Sequence, residues 1–395
     1  MNIPFSPPYI SEQAVEQVNK VLRSGWITTG PKVKEFEDRI TNYIWSKGTV
    51  VMSSATAALE MCLRILNIGP GDEVITSAYT YTASASVINH VGAKIILVDV
   101  DENLEMNYEK LSKLINKNTK AIIPVDIAGK ICNYEKLTTL VNEKKEIFTP
   151  NNELAKKINR IAIIGDGAHS FGAIKDKKRS GKFADFTCFS FHAVKNLTTA
   201  EGGAVTWIID DESIEKTFKQ MILHGQSKDA FSKMKKGNWE YDITTLGYKS
   251  NMTDIQAAIG LTQLSEYEEN LKKRHEIIKF YESELDSQYI KTLKHNGEYF
   301  TSSGHLYITW VKNATEEQRN KIIDELAKLG ISTNVHYKPL PMHTAYINYG
   351  FDILNFPIAY KMYENEITLP LYPQLTNTEI RYIVDKYNEI CKEIL

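Results

Sequence analysis

Residues 186–208 read FTCFSFHAVKNLTTAEGGAVTWI: two short apolar runs, Phe186–Phe191 and Ala204–Ile208, on either side of a polar turn. Each is too short for a helix and bounded by polar residues or glycine, so both read as buried strands. Between them stands one lysine, Lys195, followed by hydroxyls and by Gly202 and Gly203, which read as a tight turn. The same kind of run recurs upstream as EVIT (Glu73–Thr76), KIILVDV (Lys94–Val100), AIIPVD (Ala121–Asp126) and IAIIGD (Ile161–Asp166). Such strands, alternating with helical or polar stretches, form a largely parallel sheet covered by helices. The expected fold is α/β: a large domain over residues 1–250, its N-terminal segment free to pack elsewhere, and a smaller C-terminal α+β domain over 251–395.

Local signals fill in the frame. In SEQAVEQVNKVLRSG, Val15, Val18 and Leu22 are expected on the buried face, with Ser11 as cap and Gly25 as stop. GTVVMSSATAALEMCLRILNIGPGDE reads as strand, small-residue turn and helix, with Ala58, Cys62, Ile65 and Leu66 as its apolar stripe. Residues 136–160, polar and lysine-rich, read as a surface excursion, and KMKKGNWEYD (233–242) as a loop. One long helix is expected from Thr253 to about Leu285.

Composition narrows the class. The chain has 395 residues, 43% hydrophobic and 24% charged, with a formal net charge of −2, so no basic footprint points to nucleic acid or an anionic membrane. Cys62, Cys132, Cys188 and Cys391 form no C-x-x-C pair and read as buried free thiols. With no signal-peptide pattern and no apolar run of spanning length, a cytoplasmic protein is expected.

Ligands of such sheets collect at the carboxyl ends of the strands. After IAIIG comes Asp166; after FTCFSF comes Lys195; after GTVVM comes SSAT, opening a helix. A lysine amine, a carboxylate and an anion-binding helix start on one edge match what pyridoxal phosphate (PLP) requires. The amine bonds the aldehyde, the carboxylate keeps the pyridine nitrogen protonated, and the helix start takes the phosphate. Each residue also has an ordinary reading: a solvated lysine, a turn aspartate, an N-cap, packing tyrosines at 79 and 81. Neither a P-loop, nor G-x-G-x-x-G, nor a metal-ligand cluster is present, and no metal is expected.

The chain resembles the PLP-dependent sugar-nucleotide aminotransferases of the DegT/DnrJ type, of PLP fold type I. The resemblance rests on SGWITTGPKV (Ser24–Val33), SSATAALEM, GDEVITSAYTYTAS, AIIPVDIAG, GDGAHSFGA, FSFHAVKNLTTAEGG, GYKSNMTDIQAAIGLTQL and LPLYP. It is nearest to enzymes that aminate C4 of nucleotide-linked 4-keto sugars. It implies Lys195 as the Schiff-base lysine, Asp166 as the pyridinium partner and His169 beside the cofactor's phenolic oxygen. It also implies Ala55, Thr56 and Ser190 at the phosphate, Tyr81 on the ring, and Asn251 reaching the neighbouring subunit's cofactor in a homodimer with shared sites. Trp26, Thr28, Thr29, His336 and Tyr337 are candidates for the sugar site.

The implied reaction moves an amino group from L-glutamate, through pyridoxamine phosphate (PMP), to a nucleotide-linked keto sugar for polysaccharide or glycan biosynthesis. The sequence departs from the family at Gly165-Asp166-Gly167-Ala168, where Glu-Asp-Ala-Ala is usual, and residues 148–160 form a longer stretch than usual. Three other readings share the fold. A PMP-dependent sugar dehydratase has histidine at the lysine position, which Lys195 disfavours. A PLP-binding regulatory protein without turnover and a small-amino-acid aminotransferase are the others.

Overall fold

The computed structural model describes residues 1–227 and 240–395. Most of the stretch expected as a loop at 233–242 therefore lies outside the described residues. The principal strands are β1 (Gly48–Met52), β2 (Glu73–Ser77), β3 (Lys94–Val98), β4 (Thr119–Ile123) and β5 (Ala162–Asp166). A two-residue hairpin, β6 (Ile174–Lys175) and β7 (Lys178–Arg179), separates them from β8 (Phe186–Ser190) and β9 (Gly203–Trp207). These seven principal strands form one sheet in the order β1-β9-β8-β5-β4-β2-β3. The sheet is parallel except for β9, which runs against both β1 and β8. Strands β1, β2, β4, β5 and β9 are buried along their whole length, as strands covered on both faces must be. One sheet edge therefore collects the ends of β1, β5 and β8 together with the start of β9, where Gly203 pairs with both Met52 and Ser190.

A second sheet, β10 (Ile290–Thr292), β12 (Tyr307–Val311) and β13 (Glu366–Leu369), is antiparallel and follows later in the chain. Its core includes Ile322, Leu326, Ile383 and Tyr387, from helices Glu316–Lys328 and Asn377–Ile394. Ile3 belongs to this core and bridges to Ile331. The short strand β11 (Phe300–Thr301) pairs with β6, tying the later part of the chain to the first. Among the described residues, no helix is long and apolar enough to cross a membrane.

Three local expectations are corrected. Helix Glu12–Ser24 is capped by Ser11 and stopped by Gly25 in the left-handed region, but it buries Ala14 and Val21 and exposes Val15 and Leu22. Valine and alanine on adjacent stripes differ by one residue, a turn of about 100°, and helix Asp254–Ser265 selects the stripe with the small residue. The long helix after Thr253 is two, Asp254–Ser265 and Tyr267–Glu284; Tyr267 begins the second, buried, with its hydroxyl donating to the Phe171 carbonyl at 2.7 Å.

The third concerns residues 136–160, which are no surface excursion. Helix Tyr134–Glu143 buries Leu137, Leu140 and Val141, and Phe148, Leu154 and Ile158 pack on the core. The i, i+3, i+4 spacing was hidden among lysines. This crossover holds the far edge of the sheet: Asn151 donates to Asp72 at 2.7 Å, before β2, and Arg160 takes Asp185 at 2.7 and 2.8 Å, before β8.

Candidate active site

The carboxyl edge opens into a cavity of about 820 Å³. Ala55, Thr56, Tyr81, Asp166, His169, Ser190, Lys195, His336 and Tyr337 all line it. Strand β5 delivers Asp166 at its last residue and β8 delivers Ser190 at its last; Lys195 follows after four more residues, its amide bonded to the His192 carbonyl at 2.9 Å. Topology alone brings these groups together from positions spread over 140 residues of chain, Ala55 to Lys195.

Helix Ala55–Ile65 starts at the cavity. Ser54 caps it by accepting from the Ala57 amide at 3.0 Å, while the Ala55 and Thr56 amides take no partner among the described residues. Two unpaired N–H groups at the positive end of a helix, with the Thr56 and Ser190 hydroxyls beside them, make an anion cradle. The cradle depends on a glycine. A Cβ on Gly203 would stand 2.4 Å from both Ala55 N and Ser54 C, so β9 lies directly under the helix start. Gly202 and Gly203 are thus not the tight turn expected of them; Gly203 is a close-packing residue of β9, and Gly202 lines the cavity. Gly203→Ala is expected to displace the helix start and weaken phosphate binding about tenfold or more, which titration of the apoenzyme with PLP measures.

Asp166 is buried, and burial raises its carboxyl above the ordinary range. Ser84 donates to its Oδ2 at 2.6 Å, the Ala168 amide to its Oδ1 at 3.1 Å, and both oppose that rise, as does the Lys195 charge. Lys195 is half-buried at the side of a deep cleft; its pKa falls from 10.5 to about 8, chiefly through burial, which the charge of Asp166 partly offsets. An amine near 8 is part-neutral at physiological pH and competent as nucleophile or base.

His169 forms the next layer. Its Nδ1 accepts the Ala128 amide at 3.3 Å, so the ring proton of the neutral imidazole is on Nε2. Nε2–H then donates to the Tyr337 hydroxyl oxygen, 3.1 Å away, leaving the Tyr337 proton free to donate onward. Burial, and then the neighbouring Lys195 and His336, hold His169 well below its ordinary pKa and so neutral. Tyr81 is 60% exposed with its ring 6.1 Å from that of Tyr337, so the two aromatics flank the opening.

Four candidates fall elsewhere. Trp26, Thr28, Thr29 and Asn251 do not line the cavity of their own chain. They make a separate cluster: Asn251 Nδ2 donates to Thr29 Oγ1 at 2.6 Å, Thr29 Oγ1 to the Met252 carbonyl at 2.6 Å, Trp26 Nε1 to the Thr29 carbonyl at 3.2 Å, and the Asp254 amide to the Thr28 carbonyl at 3.1 Å. Conversely, Ser84, His305 and Phe5 were missed. The His305 ring packs tilted against His169 with centroids 4.4 Å apart, and Phe5 stacks on His336 at 5.5 Å. None of the three stands in a pattern that marks it in the sequence.

The model of the DegT/DnrJ/EryC1/StrS aminotransferase family matches residues 8–388. The chain belongs to that family. Among solved structures it is similar to Spr1654 of Streptococcus pneumoniae, described as a candidate sugar aminotransferase. The PMP form of that protein superposes with a TM-score of 0.97 at 52% identity over 100% of both chains, and PLP and apo forms are also known. Helicobacter pylori PseC, an aminotransferase involved in the biosynthesis of pseudoaminic acid, superposes with a TM-score of 0.86 at 27% identity over 100% of both chains. The Bacillus subtilis spore coat polysaccharide biosynthesis protein SpsC is 33% identical over 99% of this chain and 97% of its own.

The protein is a sugar aminotransferase of PLP fold type I, with PLP as its cofactor. The residues present fit the group. The unpaired Ala55 and Thr56 amides suit its phosphate, Lys195 its aldehyde, and the buried Asp166 carboxyl, which has no cation in hydrogen-bond contact among the described residues, suits a protonated ring nitrogen.

Proposed function

We propose that this enzyme moves an amino group from L-glutamate to the keto carbon of a nucleotide-linked sugar, C4 of a 4-keto sugar in the first instance, for surface polysaccharide or glycan biosynthesis in the cytoplasm. The observation that carries the reading is the amine of Lys195, lowered to about 8, in one cavity with Asp166 and an unpaired helix start. The cavity's size supports a substrate larger than an amino acid.

In this reading Lys195 holds the resting cofactor, Ala55, Thr56 and Ser190 grip its phosphate, and Asp166 keeps its ring nitrogen protonated. His169 stands beside its phenolic oxygen and Tyr81 stacks on its ring. Bound there, PLP supplies the electron sink that makes the donor's α-proton removable. Lys195 Nζ, once displaced by the donor amine, takes that proton, and in the second half-reaction it delivers a proton to the sugar carbon. His336 and Tyr337 face the sugar. Asn251, with Trp26, Thr28 and Thr29 beside it, completes the neighbouring subunit's cavity in a homodimer, which is why these four lie away from their own. The large part, residues 1–250, carries the cofactor, and residues 251–395 close over it.

The pH dependence follows from the lowered amine. Only neutral Lys195 attacks an aldehyde, so loading of the apoenzyme with PLP is expected to speed up through a midpoint near 8. A midpoint above about 10, that of free lysine, would remove the burial effect from the reading. The substrate test is a panel of 3-keto and 4-keto sugar nucleotides offered to the PMP form, with the aminated product identified by mass spectrometry.

A further inference from the structure

Behind His336 lies a buried chain of two side chains that the reaction as proposed does not use. Glu366 and Thr368 sit at alternate positions of β13, both with no solvent exposure. Glu366 Oε2 accepts the His336 amide at 2.8 Å; Glu366 Oε1 lies 2.5 Å from Thr368 Oγ1; Thr368 Oγ1 lies 3.0 Å from His336 Nδ1. The segment itself is pinned by Tyr79, whose hydroxyl donates to the His336 carbonyl at 2.8 Å. The other ring nitrogen, Nε2, has no partner within the described residues, and the ring lines the cavity.

We infer that Glu366, acting through Thr368, fixes which nitrogen of His336 carries the proton, and that the neutral carboxyl leaves Nε2–H facing the cavity as a donor to an oxygen of the sugar. The second half of this rests on the reading of the cavity as a sugar site. A hydroxyl has one proton to give. Because the His336 amide claims Oε2 as acceptor, a carboxyl proton must sit on Oε1 and donate to Thr368 Oγ1. Thr368 then gives its own proton to Nδ1, and the ring proton is left on Nε2. Ionisation reverses the chain: the carboxyl proton leaves to water, Thr368 turns its proton to the carboxylate, and Nδ1 must carry the ring proton. The cavity then meets a lone pair instead of a donor.

The surroundings favour the first state at neutral pH. Burial raises Glu366 to about 8, outweighing Thr368, the His336 amide and the Arg319 charge. Besides Arg319, the titratable groups facing Glu366 are Tyr79, Tyr337 and Tyr387. The ring stays uncharged, since burial and then Lys195 push His336 down to about 3. As pH rises through about 8, Glu366 ionises and the donor is lost. Neutral Lys195 gains over the same range, so the sugar half-reaction should fall relative to the glutamate half-reaction.

The test is imidazole ¹⁵N NMR of the PLP-loaded enzyme, the His336 signals being those lost in His336→Gln. Wild type should show Nε2–H near pH 6.5 and Nδ1–H near pH 9.5. Glu366→Gln should show Nε2–H at both, because the His336 amide holds the amide oxygen and turns its NH₂ toward Thr368. In Thr368→Val the fixed tautomer should be lost. Its kcat/KM for the keto sugar should fall about fivefold to tenfold, and its glutamate half-reaction less than about twofold. One unchanging tautomer in wild type across the pH range, or an unimpaired sugar half-reaction in Thr368→Val, overturns the inference. Should wild type aminate no keto sugar nucleotide, the function proposed above fails instead, and the spectra still decide where the proton sits.

Discussion

Lys195→Ala is expected to lower turnover by about 10,000-fold or more while the protein stays folded. No other lysine among the described residues that line the cavity stands beside Asp166; Lys338, the second lysine there, is exposed and shows no such burial. The variant should therefore lose covalent attachment of PLP, read as the absence of a borohydride-fixed adduct on the peptide containing position 195. Stability should not suffer. A lysine whose pKa falls from 10.5 to about 8 on folding disfavours the fold wherever it is protonated. That penalty is fully present below about 8 and fades toward 10.5. Near neutrality its removal is neutral or favourable, so a melting temperature within a few degrees of wild type is expected. A variant that turns over at the native rate would show that the chemistry belongs to another group.

Asp166→Asn should cost about 100-fold to 1,000-fold in turnover with PLP still bound. The asparagine keeps the shape: its oxygen can take the Ala168 amide, now 3.1 Å from Oδ1, and the Ser84 hydroxyl, which donates to Oδ2 at 2.6 Å, can turn to accept from the new NH₂. What it loses is the negative charge that keeps a ring nitrogen protonated. Folding should be little changed, because burial already raises the Asp166 carboxyl and so makes its charge unfavourable in the empty protein. The informative pattern is a collapse of both half-reactions with cofactor affinity within about tenfold. Unchanged kinetics would reduce Asp166 to a structural residue.

Much of the fold was readable because buried strands announce themselves. EVIT, KIILVDV, AIIPVD, IAIIGD, FTCFSF and AVTWI all appear as strands of one sheet, with ends shifted by up to three residues, the most at the end of AIIPVD. Asp166, Ser190 and Lys195 were visible because a parallel sheet delivers the residues after its strands to one edge. Helices were harder. The stripe of Glu12–Ser24 was misplaced because Val15 was preferred to Ala14, whereas the helix buries Ala14 and Val21. The break at Glu266 carries neither glycine nor proline to mark it.

Residues that act from a distance left no local mark. Ser84 meets Asp166 from 82 positions away and Tyr79 meets the His336 carbonyl from 257. Glu366 and Thr368 look like an ordinary strand end until His336 is seen above them. The Asn251 role came from resemblance alone; within one chain Asn251 is bonded to Thr29 and stays off the cavity.

The most direct measurement is a two-stage reaction on the purified PLP enzyme. L-Glutamate alone should convert the bound cofactor to PMP with one equivalent of 2-oxoglutarate, and a 4-keto sugar nucleotide should then restore PLP and yield the amino sugar nucleotide. If glutamate leaves the cofactor as PLP, or if the PMP form aminates no keto sugar nucleotide while accepting small keto acids, the proposed reaction is wrong.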